Sequence, residues 1–250
     1  MAFWQTGIAE KGYIMTAGVL YGVGTGPGDP GLVTRRAWQL INDARTIAYL
    51  APDTGDSFAR SIVADAIVAD AEEIVLRVPM RPGRAPAQHI YDDGAARIAK
   101  HLAAGRDVVM LCEGDPLFYG SFMYILARLK DEFRVEVVPG VTSLTACAAS
   151  HLHPLVARND VMTILPAPLD DAVLRARIGD AEAVAIMKLG RHMPRLRALL
   201  AAMGLADRTL YVSHASLETQ FSCSLADAPD AAPYFSMLLL YKGDDPWIKT

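Results

Sequence analysis

Gly22-Val23-Gly24-Thr25-Gly26-Pro27-Gly28-Asp29-Pro30-Gly31 closes the apolar run that starts at Val19. A helical pattern follows, with Val33, Ala37, Leu40, Ile41 and Ala44 on one face of residues 33–44. A strand, a glycine-rich turn and a helix in that order mark the place where an α/β protein brings its backbone up to a ligand. The turn is not a standard diphosphate cradle. Counted from Gly22, the third glycine position is held by Pro27. Counted from Gly26, the G-x-G-x-x-G spacing is met, but Pro27 and Pro30 sit inside it, and each proline removes a backbone N–H that a diphosphate needs. No Gly-Lys-Ser/Thr follows, so the turn is not a P-loop either. A plain structural turn is the competing reading.

Outward from this turn the chain alternates short apolar runs with longer amphipathic stretches. Strands are expected at 19–23, 46–50, 73–78, 108–112 and 134–138, and helices at 33–44, 57–69, 88–104 and 120–131. Gly105-Arg106-Asp107 is a helix stop just before a strand. The alternation predicts a mainly parallel α/β sheet over residues 15–150. His151–Asp160 loses periodicity and holds a proline, so it reads as a linker. Residues 161–250 then carry strands at 162–165, 183–188, 209–213, 219–225 and 235–241, with helices at 170–178 and 193–203. That excess of strands predicts a mixed or partly antiparallel second sheet. Residues 1–14 read as an appendage ahead of Met15.

The 250 residues are 52% hydrophobic and 21% charged, enough for a sizeable core. The net charge of −4 disfavours a nucleic-acid binder held by phosphate contacts. No apolar run reaches the roughly 18 residues of a membrane span, and the first 20 residues lack a signal-peptide pattern. Cys112, Cys147 and Cys223 are odd in number and widely spaced, which fits reduced thiols in a cytoplasmic protein and gives no support to structural zinc.

Four further motifs stand at strand ends. Cys112-Glu113-Gly114-Asp115-Pro116-Leu117-Phe118-Tyr119-Gly120-Ser121 ends the fourth strand, where ligands of parallel sheets bind; a turn started by Asp115-Pro116 is the plain alternative. Val138-Pro139-Gly140-Val141-Thr142-Ser143 runs from strand to helix, and Thr142 or Ser143 suits an N-cap. Ile186-Met187-Lys188-Leu189-Gly190-Arg191-His192 places a lysine at the end of an apolar strand, which is costly unless the strand end opens to a cleft or the surface. Pro233-Tyr234-Phe235-Ser236 leads into the last strand. His151, His153, His192 and His214 are not spaced as a metal site and read as structural.

Taken together, GxGxGPGDPGLxT, EGDPLFYGS, PGVTS and MKLGRH resemble the tetrapyrrole (precorrin) methylase family in order and spacing, from about Val19 to Tyr241. Within it the likeness is greatest to the branch that methylates C20 of precorrin-2, on Leu76-Arg77-Val78-Pro79-Met80, the run from Glu113 to Leu126, Met187–Arg191 and the late Pro233–Ser236. The resemblance implies two α/β domains with the active site in the cleft between them, S-adenosylmethionine as methyl donor, no metal requirement and a homodimer. It carries donor contacts onto Pro27, Glu113, Gly114, Asp115, Phe118, Ser121, Thr142, Ser143, Met187 and Ala215. Ala215 is the weakest transfer, because Ser213-His214-Ala215-Ser216 departs from the family's glycine-threonine pattern. The sirohaem-type branch has an acid just after the second strand. Leu50 stands there in this chain, so the general base is unassigned.

A tetrapyrrole bearing many carboxylates asks an acidic protein to concentrate cations locally. Arg77, Arg81, Arg84, Lys188 and Arg191 are the candidates for substrate contact, with Arg158 beside them; a solvated face is the alternative for each. Methylation of another ring carbon, a nicotinamide-dependent oxidoreductase and a non-catalytic ligand-binding module are the rival readings. Neither nucleic acid nor a membrane is expected as a partner.

Overall fold

The computed structural model describes residues 17–78 and 85–243. The appendage expected over residues 1–14 lies outside them. The chain forms two compact units, one up to Val141 and one from Thr142.

The first unit is built on five parallel strands: β1 (Leu20–Gly24), β2 (Thr46–Pro52), β3 (Glu72–Val78), β4 (Val108–Cys112) and β5 (Val135–Val138). Their order is β3-β2-β4-β1-β5. All five residues of β4 are buried, as a central parallel strand covered on both faces requires. Helices α1 (Arg35–Asp43) and α2 (Phe58–Ile62) share one core with Val23, Ile47, Tyr49, Val109 and Leu111. Helices α3 (Ala85–Ala103) and α4 (Phe122–Leu129) share the other with Leu20, Ala48, Ile74, Met110 and Cys112. Alternate strand residues therefore feed opposite faces.

The helices follow from local chemistry. The Thr34 hydroxyl caps α1 by accepting from the Ala37 amide at 3.2 Å. In α3, Tyr91, Ala95, Ile98 and Leu102 repeat at three- and four-residue spacing and are all buried. Gly105, at φ 76°, ends it; the Gly105 amide returns to the Leu102 carbonyl and the Arg106 amide to that of His101.

One expected helix is shorter than its pattern. Residues 57–69 give α2 and then a separate 3-10 turn, Ala64–Ala66. Ile62 and Val63 are both buried in the same core. Neighbours on a helix point about 100° apart, so burying both against one sheet favours a break between them.

The second unit carries β6 (Met162–Pro166), β7 (Ala183–Met187), β8 (Thr209–Ser213), β9 (Phe221–Ser224) and β10 (Ser236–Tyr241), in the order β6-β7-β10-β8-β9. Only the β6–β7 pair is parallel, so the sheet is mixed. Helices α6 (Asp171–Asp180) and α7 (Met193–Ala202) pack Leu174, Ile178, Leu196 and Leu200 onto Val184, Ile186, Tyr211, Leu238 and Leu240. Helix α5 (Ser143–Ser150) lies against β8 and β10. Residues 151–160 hold no helix or strand and are fastened to the second sheet. The Tyr241 hydroxyl donates to Asp160 at 2.7 Å, and His151 Nδ1 lies 3.1 Å from the Ser222 hydroxyl. The strand expected at 219–225 starts later, because 214–220 is taken up by turns closed through Leu217 N to His214 O and Gln220 N to Leu217 O.

Candidate active site

The loops after β1 and β4 leave toward opposite faces of the first sheet, since α1 and α4 lie on different faces while β1 and β4 are neighbours. That is the topological switch point of an open α/β sheet, where ligands bind outside the carboxyl ends. Backbone meets backbone here. Gly26 and Gly114 exchange hydrogen bonds at 3.3 and 2.8 Å. The buried Thr25 gives its amide (2.8 Å) and its hydroxyl (3.1 Å) to the Cys112 carbonyl. A Cβ on Gly24 would lie 2.5 Å from the Gly114 carbonyl oxygen and 2.6 Å from Gly140 Cα. A Cβ on Gly140 would overlap the same oxygen. Gly24, Gly114 and Gly140 thus bring three strand ends together with no side chain between them.

Asp115 fastens the assembly. Its Oδ1 accepts from the Leu117 amide at 2.9 Å and its Oδ2 from the Gly140 amide at 3.0 Å, joining the β4 and β5 loops. Asp29 holds its own loop through the Gly31 amide at 2.7 Å. Glu113 is reachable by solvent, yet desolvation by the surrounding protein holds its carboxyl above the ordinary value. Half-buried Pro27 follows Gly26 directly. Phe118 packs edge-on with Tyr119 at 5.3 Å, and Ser121 precedes α4 beside the Tyr91 hydroxyl. The structure therefore gathers Pro27, Glu113, Gly114 and Asp115 at one sheet end, with Phe118 and Ser121 on the loop that continues from them.

This arrangement leaves little for a diphosphate. The amides of Thr25, Gly26 and Gly31 are engaged within the protein, and Pro27 and Pro30 have none. Nor does a helix start at the turn: a 3-10 turn, Pro30–Leu32, separates it from α1. A flat, partly apolar group can instead lie against the half-exposed backbone of Gly114 and Gly140, with Gly24 buried beneath them.

In the second unit the ends of β7 and β8 and the start of β10 share one sheet edge, through the pairs Met237–Met187 and Ser236–Ser213. Met187, Lys188, Arg191 and the buried Ala215 gather there, and the Gly190 carbonyl accepts from the Ala232 amide at 3.3 Å. Lys188, His214 and Ser216 adopt left-handed φ values of 61°, 50° and 70°, which non-glycine residues hold only at a cost of about 1 kcal/mol or more. Burial, with Arg195 and Arg191 nearby, lowers the pKa of His192. Thr142 is the N-cap of α5 and accepts from the Thr145 amide at 3.4 Å; Ser143 is that helix's first residue.

Arg77 stands at the end of β3, two strands from β4, and donates to the carbonyls of Pro52 and Gly55 at 3.0 and 3.3 Å. Arg81 and Arg84 lie outside the described residues. Near Arg77, Arg60 grips Glu73 with two bonds of 2.9 and 2.8 Å, and the Tyr49 hydroxyl also donates to Glu73. The Arg60 bond holds Glu73 below the usual carboxylate range, while burial and that carboxylate push Tyr49 up to about 12. Sequence reasoning missed this network, because its members lie on three elements. It also missed Gly24 and Gly140 as contact points. The glycine closing each strand was the available signal. Cys112, Cys147 and Cys223 are unpaired thiols, and burial pushes Cys147 up to about 12. Among the described residues no group of three or more His, Cys, Asp or Glu could hold a metal ion, and no helix is long and apolar enough to cross a membrane.

The family model of the tetrapyrrole (corrin/porphyrin) methylases matches residues 19–228, most of the chain, including the loops after β1, β4, β5, β7 and β8. The chain belongs to this family. A precorrin-2 C(20)-methyltransferase of Sinorhizobium sp is 40% identical over 232 residues, 89% of this chain and 95% of the relative. A cobalt-precorrin-2 C(20)-methyltransferase of Salmonella typhimurium is 30% identical over 90% of this chain and 97% of that one. Among solved structures, a cobalt precorrin-4 methyltransferase shares the fold at a TM-score of 0.71 and 21% identity, covering 89% of this chain and 94% of that one. A uroporphyrin-III C-methyltransferase from Thermus thermophilus, complexed with S-adenosylhomocysteine, does so at 0.64 and 24%, covering 89% and 97%. The two α/β units are those of the tetrapyrrole methylases.

Proposed function

We propose that the protein transfers a methyl group from S-adenosylmethionine to C20 of precorrin-2, or of its cobalt-bearing counterpart, in corrin biosynthesis. The observation that carries this reading is the 40% identity to a precorrin-2 C(20)-methyltransferase along nearly the full length of both chains. The glycine convergence at the β1, β4 and β5 ends fits a donor that needs close backbone approach more than it needs phosphate-binding amides.

The donor supplies an already activated methyl group on a sulfonium, so the protein contributes orientation and exclusion of water. Pro27, Glu113, Gly114, Asp115, Phe118 and Ser121 are its proposed contacts in the first unit, and Thr142, Ser143, Met187 and Ala215 in the second. Asp115 acts mainly by fixing the two loops, since both its oxygens already accept backbone amides. Its negative charge, and that of Glu113, suits a cationic donor. Lys188 and Arg191 are proposed to meet substrate carboxylates, as is Arg77. Methyl transfer from a sulfonium requires no Lewis acid, so the protein is proposed to work without a metal of its own. A cytoplasmic homodimer is proposed on the family resemblance.

Incubation with enzymatically made precorrin-2 and carbon-labelled donor tests the reading. One added methyl at C20, seen by mass and carbon NMR, is expected. A label on another ring carbon moves the protein to a different branch. Donor binding with no transfer makes it a binding module, and NADH binding in place of donor binding ends the reading.

A further inference from the structure

The first unit holds a hollow away from the β1, β4 and β5 loops. It is a cavity of about 270 Å³ on the α1/α2 face, between α2 and the β2–β3 edge of the sheet. Its existence has a local cause. Helix α2 stops after five residues, and the lining there includes Ala51 of β2 and Ala64 just after α2, both too small to fill the gap.

The two arginines that line it are in different electrostatic states. Arg60 is neutralised by its two-bond grip on Glu73. Arg77 is held by the carbonyls of Pro52 and Gly55, which fix a guanidinium without cancelling its charge. Among the described residues no carboxylate lies within ion-pair distance of Arg77; Asp56, on the rim, is exposed and makes no such pair. A positioned, uncancelled guanidinium beside a hollow is suited to a carboxylate, which it can meet with two parallel bonds.

The sheet register gives its distance from the candidate active site. Ala51 pairs with Arg77, and Tyr49 with Leu111, so Arg77 stands level with Glu113 two strands away. At about 4.8 Å per strand that is roughly 10 Å. Both lie at the carboxyl edge of one parallel sheet. A span of that order separates a reacting ring carbon from the outer carboxylate arms of a tetrapyrrole.

We propose that this hollow is a carboxylate subsite, which takes one acetate or propionate arm of the substrate ring with Arg77 as its anchor. The inference rests on the proposed function and adds to it a place for one arm.

Two variants test it by different routes. Arg77→Ala removes the anchor. Ser61→Phe fills the hollow from α2 and leaves the carbonyl bonds of Arg77 in place. For each, donor affinity is measured by calorimetry, binding of the oxidised, air-stable form of precorrin-2 by fluorescence quenching, and KM for precorrin-2 by turnover. Ring binding and substrate KM are expected to worsen at least tenfold in both variants, with donor affinity within twofold of the parent. Ring binding within twofold of the parent in either variant, with donor affinity intact, overturns the subsite and leaves the proposed function standing. Failure of the parent protein itself to bind or methylate the ring overturns both.

Discussion

The two sheets end their strands in different ways. In the first unit Gly24, Gly114 and Gly140 close β1, β4 and β5, and no Cβ could be added to Gly24 or Gly140 without meeting neighbouring backbone. In the second unit, β7 and β8 run into Lys188 and His214, side-chain-bearing residues held in a left-handed conformation. Glycine is required where main chains touch. Where a hydrogen bond alone joins them, as from the His214 amide to the Phe235 carbonyl at 2.9 Å, a strained residue can keep its side chain at the strand end, and strain of that kind gathers at functional sites. One end offers a bare backbone surface, the other offers charged and polar groups.

The largest effect should come from breaking the first arrangement. Gly140→Ala places a methyl group against the Gly114 carbonyl oxygen and 2.9 Å from Gly24 Cα, all of it backbone that cannot rotate away. A loss of about 3 kcal/mol or more is expected in denaturant unfolding, with donor binding abolished. Gly179→Ala is the matched control. It lies in α6 with nothing within 4 Å of the new Cβ, and should stabilise by about 0.5–1 kcal/mol. Equal effects at the two sites would remove the distinction.

Asp115 comes next. Asp115→Ala removes both bonds that tie the β4 loop to Leu117 and Gly140, whereas Asp115→Asn keeps one acceptor oxygen. The alanine variant should weaken donor binding about 10- to 100-fold, on the scale of one or two hydrogen bonds to a charged group. The asparagine variant should fall between it and the parent. If both weaken donor binding equally while the melting temperature is unchanged, the carboxylate acts by charge on the donor and not as a fastener.

The same contrast explains what could be read from the sequence. Each strand of both sheets stood out, because apolar runs punctuated by glycine, proline and aspartate are local signals. The cap at Thr142 and the stop at Gly105 were legible for the same reason. Asp115 was visible as a motif residue, but its partner Gly140 is 25 residues away. A long-range backbone acceptor leaves no trace in spacing. Arg77 could be marked as a cation, yet only the fold shows it resting on Pro52 and Gly55. The break after α2 was hidden because its cause is the burial of both Ile62 and Val63 against one sheet face, which only the assembled fold decides.

A smaller effect is expected from relaxing the second unit's strand end. His214→Gly removes the cost of a φ of 50° but makes the unfolded chain freer, so stability should change by no more than about 1 kcal/mol in either direction. Donor and substrate constants report separately on whether the side chain matters. A loss of several kcal/mol would mean that His214 is held by packing comparable to that around Gly140.

The smallest effect concerns Glu113, the carboxylate that the crowded strand ends of the first unit leave partly dry. Its pKa is raised in the folded protein by desolvation, so between the unfolded value of about 4.3 and the higher folded value the native state binds more protons than the unfolded chain. Stability from this group is therefore fully present below the unfolded value and is lost as pH rises through the folded one. At pH 7 the ionised side chain is a small liability. Glu113→Gln should raise the melting temperature slightly at pH 7, by the equivalent of a few tenths of a kcal/mol because the group is reachable by solvent, and the gain should vanish near pH 3. The direction carries the weight. A variant less stable than the parent at pH 7 would mean that the Glu113 charge is compensated where it stands, and the strand ends of the first unit would then be no drier than those of the second.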